Sequence, residues 1–215
     1  MKRREFSVGA ASTLAASFVA TPALAQGFVP QRGADYLPLE KPVSVEAAPG
    51  RVEVVEFFWY SCPHCNAFEP MFEQWKQRQP AHVAVKRVPV AFRPDFEPQQ
   101  RLFYTLETLG KLDELHSKVF MAIHVERQQI SRPEPIIAWA EKQGLDKAKF
   151  TEVYNSFSVV SKAKRATQLQ NEYKVQGVPS LGIAGRFYTD GTVAKGMPRA
   201  LQVTDYLVAE IHKGR

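Results

Sequence analysis

Between Arg51 and Tyr60 almost every side chain is β-branched or aromatic, and Val52, Val54, Val55, Phe57, Phe58 and Trp59 read as a buried strand. The period then changes. Phe68, Met71, Phe72 and Trp75 recur at i, i+3, i+4 and i+7, the spacing of one helical face, and Ser61 offers that helix an N-cap. Pro63 fits the first turn, where its missing N–H has no helical partner, whereas Pro70 falls inside the periodic run and is expected to kink it. Beyond Gln79-Pro80, Val83, Val85, Val88 and Val90 predict a second strand over 82–90, so this stretch reads as a βαβ unit. A short strand around Val43 to Val45 is expected to join the same sheet.

From about Pro94 to Phe157 the pattern is helical throughout. Leu102, Phe103, Leu106 and Leu109 predict one helix, and Leu115, Val119, Phe120 and Ile123 a second. Ile136, Ile137, Trp139 and Ala140 predict a third, opened by Ser131 and Pro133 and ended by Gly144; Phe150, Val153, Tyr154 and Phe157 make a short fourth. A long helix over Val159 to Tyr173 then leads to Gly177-Val178-Pro179. After it, Ser180 to Ala184 and Arg186 to Thr189 look like a hairpin turning at Ala184-Gly185, and Pro198 to Lys213 like a closing amphipathic helix. Sheet elements thus flank a helical block. The expected organisation is one α/β domain formed by 26–93 and 159–215, interrupted by a helical insertion over 94–158.

The first 25 residues have a different character. Lys2, Arg3 and Arg4 precede an apolar, small-residue run from Val8 to Ala20, and Ala23-Leu24-Ala25 offers an A-x-A cleavage site, the layout of an export signal. The run is only about 13 residues, short of the roughly 20 that a spanning helix needs. The segment carries three basic residues and Glu5, so its removal lowers the net charge from +6 to +4. The densest basic group, Lys162, Lys164 and Arg165, reads as a solvated helix face, and the dispersed charge gives no nucleic-acid stripe.

The chain has two cysteines, three positions apart. A disulfide-stapled scaffold would carry more, and a structural zinc site takes four ligands, so neither a staple framework nor a metal is expected. Cys62-Pro63-His64-Cys65 falls at the strand-to-helix junction. A thiol in the first turn of a helix meets unpaired backbone N–H groups and the positive end of the helix dipole, and both favour thiolate. Cys62, the more N-terminal, is the expected attacking and mixed-disulfide sulfur, and Cys65 the partner that closes the ring. His64 can add a positive charge or a hydrogen bond. As a mere staple, a ring this small would contribute only roughly 2 kcal/mol.

With these residues in view, the chain resembles the DsbA family of bacterial periplasmic disulfide oxidases. Glu56-Phe57-Phe58, the Cys62-Pro63-His64-Cys65 centre, the helix with Pro70, the helical insertion and Gly177-Val178-Pro179 follow that family's order. The resemblance implies a thioredoxin fold with an inserted all-helical subdomain. It implies that Val178-Pro179 is a cis-proline loop facing the sulfurs, with the Val178 backbone free to pair with a client strand. Glu56 would lie beneath the cysteines and tune or relay their protons, with Arg87 or Lys86 as its cationic companion. The implied clients are reduced exported proteins met in the periplasm, and the implied reoxidant is a quinone-linked membrane partner of the DsbB type. No cofactor is expected, because electrons pass from sulfur to sulfur, and a monomer is expected. An isomerase or reductase of the same fold, or a peptide-binding chaperone, are the alternatives.

Overall fold

The strand that the sequence marks most strongly is β2 (Val52–Phe58), buried at all seven positions. Full burial needs cover on both faces, and side-chain alternation supplies two cores: Val52 and Val54 point into one, Val55 and Phe57 into the other. The computed structural model describes residues 29–214; the export segment Met1 to Ala25 lies outside the described residues.

Among the described residues there are five strands and seven α-helices. The strands are β1 (Leu37–Pro38), β2, β3 (Val83–Pro89), β4 (Ser180–Ile183) and β5 (Phe187–Asp190), in the order β1-β5-β4-β2-β3. β2 and β3 are parallel and joined by helix α1 (Pro63–Gln77); β4 lies antiparallel to β2, and β5 to β4. The α/β reading of the sequence therefore holds. Helix α1 and the final helix α7 (Met197–His212) cover one face, tied together where Trp75 Nε1 donates to Asp205 Oδ1 at 2.8 Å.

The other face is covered by a helical block: α2 (Glu97–Thr108), α3 (Leu112–His124), α4 (Pro133–Lys142), α5 (Lys147–Tyr154) and α6 (Phe157–Glu172). Two buried glutamines join this block to the end of the parallel strands. Gln100 Nε2 donates to the Pro89 carbonyl at 2.8 Å, and Gln170 Oε1 accepts from the Ala91 N–H at 2.8 Å, so backbone groups beyond the ladder do not go unpaired. Close packing fixes one glycine here: a β-carbon on Gly182 would overlap the Tyr173 ring.

Three local expectations need correction. No strand forms at Val43 to Val45; the Val43 N–H makes a single bond to the Gly185 carbonyl, and the edge strand is instead Leu37–Pro38, antiparallel to β5. Proline at position 38 gives no ladder N–H, which suits an edge and hides the strand from a propensity reading. The N-cap of α1 is Cys62, not Ser61, whose hydroxyl oxygen accepts from Gln99 Nε2 at 2.8 Å. Finally, α1 continues unbroken through Pro70, and its buried face is Cys65, Phe68, Glu69, Phe72 and Trp75, with Met71 exposed.

Candidate active site

The sequence folds locally so that one sulfur ends the loop and the other begins the helix. Cys62 has extended backbone angles (φ −82°, ψ 118°) and caps α1, its Sγ accepting from the Cys65 N–H at 3.4 Å. On its other side the Cys62 thiol donates to the Val178 carbonyl at 3.4 Å. The Val178–Pro179 peptide bond is cis. The structure thus brings together residues 116 positions apart, and both cysteines are free thiols.

The two sulfurs sit in opposite electrostatic settings. Hydrogen bonding from the Cys65 thiol, with the backbone N–H groups of Cys65 and His64 and the charge of His64 behind it, draws Cys62 down to about 6 against the cost of its burial. Cys65, buried a turn further in, is pushed well above the usual thiol range, first by desolvation and then by Cys62 itself. Of the two, Cys62 is thus the sulfur that ionises first and Cys65 the one that keeps its proton, which is the arrangement an exchange centre needs.

His64 and Pro63 are exposed. His64 lines a groove of about 390 Å³ with Val178, Pro179, Gly191 and Met197, so the imidazole faces the space in front of the cis-proline loop rather than the protein interior.

Between β2, β3 and α1 lies a buried ionic cluster. Glu56, 1% exposed, is on the face of β2 covered by α1, and its Oε2 accepts from Arg87 Nε at 3.0 Å. The register explains the choice of partner: Glu56 and Arg87 are paired across β2 and β3, whereas Lys86 points away to Glu46 at 2.7 Å. Arg87 Nη2 also reaches Glu69 Oε1 at 2.8 Å and Glu73 Oε2 at 3.1 Å. Burial nonetheless pushes the Glu56 carboxyl up to about 8, because desolvation outweighs the pull of Arg87 and Glu69 repels it. Glu56 can therefore hold a proton at neutral pH, and its charge, when present, acts to raise the Cys65 thiol.

Sequence reasoning missed part of this cluster. Glu69 lies four residues after Cys65, which places it on the same buried face, a signal that was readable from the spacing. His116 gave no such signal. It is buried on α3 among Phe58, Tyr60, Phe103 and Phe120, with Nδ1 2.8 Å from the Tyr60 hydroxyl and Nε2 3.5 Å from Glu69 Oε2, and burial lowers its pKa.

Comparison with known proteins places this geometry. The family model described as DSBA-like thioredoxin domain matches residues 86–202. A thiol:disulfide interchange protein DsbA from Burkholderia cepacia is 39% identical over 202 residues, spanning 93% of this chain and 95% of the relative. The chain belongs to the DsbA family. A DsbA of Pseudomonas aeruginosa strain PAO1 is 39% identical over 176 residues, 82% of this chain and 83% of the relative. The crystal structure of Pseudomonas aeruginosa DsbA superposes with a TM-score of 0.81 at 37% identity, covering 86% of this chain and 95% of that one. The oxidoreductase DsbA of Xylella fastidiosa gives 0.81 at 26% identity, over 86% and 100%. As a DsbA family member the chain is a thiol:disulfide oxidoreductase with a thioredoxin-like fold, and Cys62 and Cys65 are its redox pair.

Proposed function

We propose that this protein introduces disulfides into reduced exported proteins by giving away the Cys62-Cys65 bond through a mixed disulfide at Cys62. A client thiolate attacks Cys62 Sγ of the disulfide form; the client-to-Cys62 bond forms, the Cys62-Cys65 bond breaks, and Cys65 leaves with the electron pair. Its strongly raised pKa means that the departing sulfur takes up a proton, and we assign its supply to the Glu56 carboxyl, which holds a proton at neutral pH and whose charge acts on Cys65. A second client thiolate then attacks the client sulfur of the mixed disulfide and expels Cys62 as a thiolate. The client loses two electrons, the Cys62-Cys65 pair gains them, and Cys62 is a good leaving group because the Cys65 thiol and the first-turn N–H groups favour its charge.

The observation that carries this reading is the position of Cys62 Sγ, between the first-turn N–H of α1 and the Val178 carbonyl. In that place Pro63 starts the helix, Val178 and Pro179 form the wall along which a client backbone can lie, and His64 adds charge at the mouth. Stabilising the thiolate stabilises the reduced enzyme, which makes the oxidised enzyme a donor of its disulfide. The site of action is the periplasm, in keeping with the export signal, and reoxidation falls to a quinone-linked membrane protein of the DsbB type. No helix among the described residues is long and apolar enough to cross a membrane.

The test is equilibration of the Cys62-Cys65 couple against glutathione, together with oxidation of a reduced dithiol peptide. The couple should be more oxidising than glutathione, and Cys62→Ser should abolish peptide oxidation. A couple more reducing than glutathione reverses the direction of electron flow and refutes the donor assignment.

A further inference from the structure

Cys62 ends a tight turn, and that turn is held from outside. The Cys62 N–H donates to the Trp59 carbonyl at 3.0 Å, closing a β-turn whose corner residues are Tyr60 and Ser61. In such a turn the outer groups bond to each other, while the carbonyl of the first corner residue belongs to the central peptide and has no partner within the turn. The ladder gives it none either, because its last bond here runs from the Val90 N–H to the Phe58 carbonyl. Tyr60 is fully buried, so its carbonyl needs a donor from elsewhere.

The donor comes from the helical block. His124 Nε2, at the end of α3, lies 2.8 Å from the Tyr60 carbonyl, and since a carbonyl only accepts, this nitrogen carries a proton. About two turns earlier, His116 Nδ1 lies 2.8 Å from the Tyr60 hydroxyl. Glu69 Oε2 stands 3.5 Å from Nε2 of the same ring, which favours the ring proton there and leaves Nδ1 to accept from the phenol. One helix thus grips Tyr60 at its carbonyl and at its hydroxyl. The ring between is packed edge-on by Phe58 and Phe120, with centroids 5.1 Å away in each case. The second corner is held too, since Ser61 Oγ accepts from Gln99 Nε2 of α2 at 2.8 Å.

We propose that His124 and His116 are positioning residues for the redox pair: by clamping Tyr60 they fix the central peptide of the Trp59–Cys62 turn, and through it the placement of Cys62 at the N-cap of α1. That placement leaves little slack. Cys62 Sγ has to meet the Cys65 N–H and the Val178 carbonyl at once, each at 3.4 Å. If the central peptide can rotate, ψ of Tyr60 and φ of Ser61 change together, and Cys62 is the next residue. On the other side of Tyr60, a backbone hydrogen bond from Trp59 acts on Cys65, so both sulfurs depend on one turn. The clamp works through the backbone, and neither histidine is assigned an exchange step. The inference rests on Cys62 and Cys65 as the redox pair and not on the direction in which electrons flow.

The experiment compares His124→Leu, which removes the donor, with His124→Gln, whose amide N–H can take the place of Nε2, in the otherwise unchanged full chain. In His124→Leu the pH midpoint of Cys62, followed by the ultraviolet absorbance of its thiolate, should rise from about 6 by about one unit. The couple should become about tenfold less oxidising against glutathione at pH 8, where the thiolate dominates in both proteins. His124→Gln should bring both quantities to within about threefold of wild type. A loss of resistance to urea in His124→Leu, with midpoint and glutathione equilibrium unchanged, would make the histidine merely structural and overturn the proposal. Equal shifts in the leucine and glutamine variants would overturn it as well, because the N–H would not be what acts. Should His124→Leu not fold, Tyr60→Phe, which removes only the oxygen held by His116, takes its place: a rise of about half a unit, or about threefold, supports the clamp, and a wild-type midpoint overturns it.

Discussion

The mouth of the active site and the floor beneath it are both dense in polar groups, yet they act on ionisation in opposite senses. At the mouth, Cys62 receives N–H and S–H donors from the first turn of α1, and these outweigh its burial. On the floor, Glu56 has a guanidinium at 3.0 Å and is still held largely protonated, because its desolvation is complete and Glu69 adds a like charge. A helix terminus presents its dipoles without having to be buried with its ligand, whereas an ion pair sunk below a sheet loses hydration on both partners. Proximity of opposite charge alone therefore does not predict ionisation; the accompanying loss of water decides it.

The comparison can be broken most severely at Arg87. Replacing it with leucine leaves Glu56 and Glu69 buried without their shared cation, and we expect a loss of about 3 to 5 kcal/mol in unfolding free energy by urea titration. Lys86→Leu, which removes only a pair with the exposed Glu46, should cost less than about 1 kcal/mol. Arg87 is not among the groups that set Cys62, so the Cys62 titration should stay near 6 in the folded R87L protein. A large shift at Cys62 would show that mouth and floor are one electrostatic unit.

Glu56→Gln sharpens the sign. The folded pKa of Glu56 is raised from 4.5 to about 8, so its contribution to stability is fully present below about 4.5 and is lost as pH climbs through about 8. Glutamine does not titrate and can still accept from Arg87 Nε. The stability difference should therefore move in favour of E56Q by about 1 to 3 kcal/mol between pH 5 and pH 8, as measured by chemical denaturation at the two values. Movement in the other direction would mean that Arg87 wins and the carboxylate is ionised throughout.

The mouth was far more legible in the sequence than the floor, for reasons of range. Cys62, His64 and Cys65 owe their setting to a strand-to-helix turn, and a turn is encoded by neighbours: the apolar run ending at Tyr60, Pro63 at the start of the helix, and Phe68 and Phe72 to orient it. The floor is assembled by register. Choosing Arg87 over Lys86 required knowing that Glu56 pairs with position 87, and a one-residue slip would have reversed the answer. His116 comes from a helix of the inserted block and carries no local mark of its burial. Cys62 took the capping role expected of Ser61 because a sulfur can accept the N–H that a hydroxyl normally takes, and Ser61 was drawn off by Gln99, 38 residues away. The β1 edge escaped notice because a two-residue strand containing proline has no periodicity to read.

The smallest expected effect separates the contributions within the mouth itself. Cys62 is lowered first by the Cys65 thiol, next by the backbone N–H groups of Cys65 and His64, and last by the charge of His64. Serine at position 64 keeps every backbone donor and removes only the imidazole. The pH midpoint for Cys62, followed by the ultraviolet absorbance of its thiolate, should therefore rise from about 6 by less than one unit, a change of under about tenfold in the thiolate-to-thiol ratio. Because a lowered thiol pKa stabilises the reduced fold only above that pKa, the stability of reduced H64S should match wild type at pH 5 and fall slightly below it at pH 8. A rise of two units or more would move the origin of the thiolate from the Cys65 thiol and the first-turn N–H groups to the side chain between the cysteines, and the geometry of the first turn of α1 would no longer account for the chemistry at its N-cap.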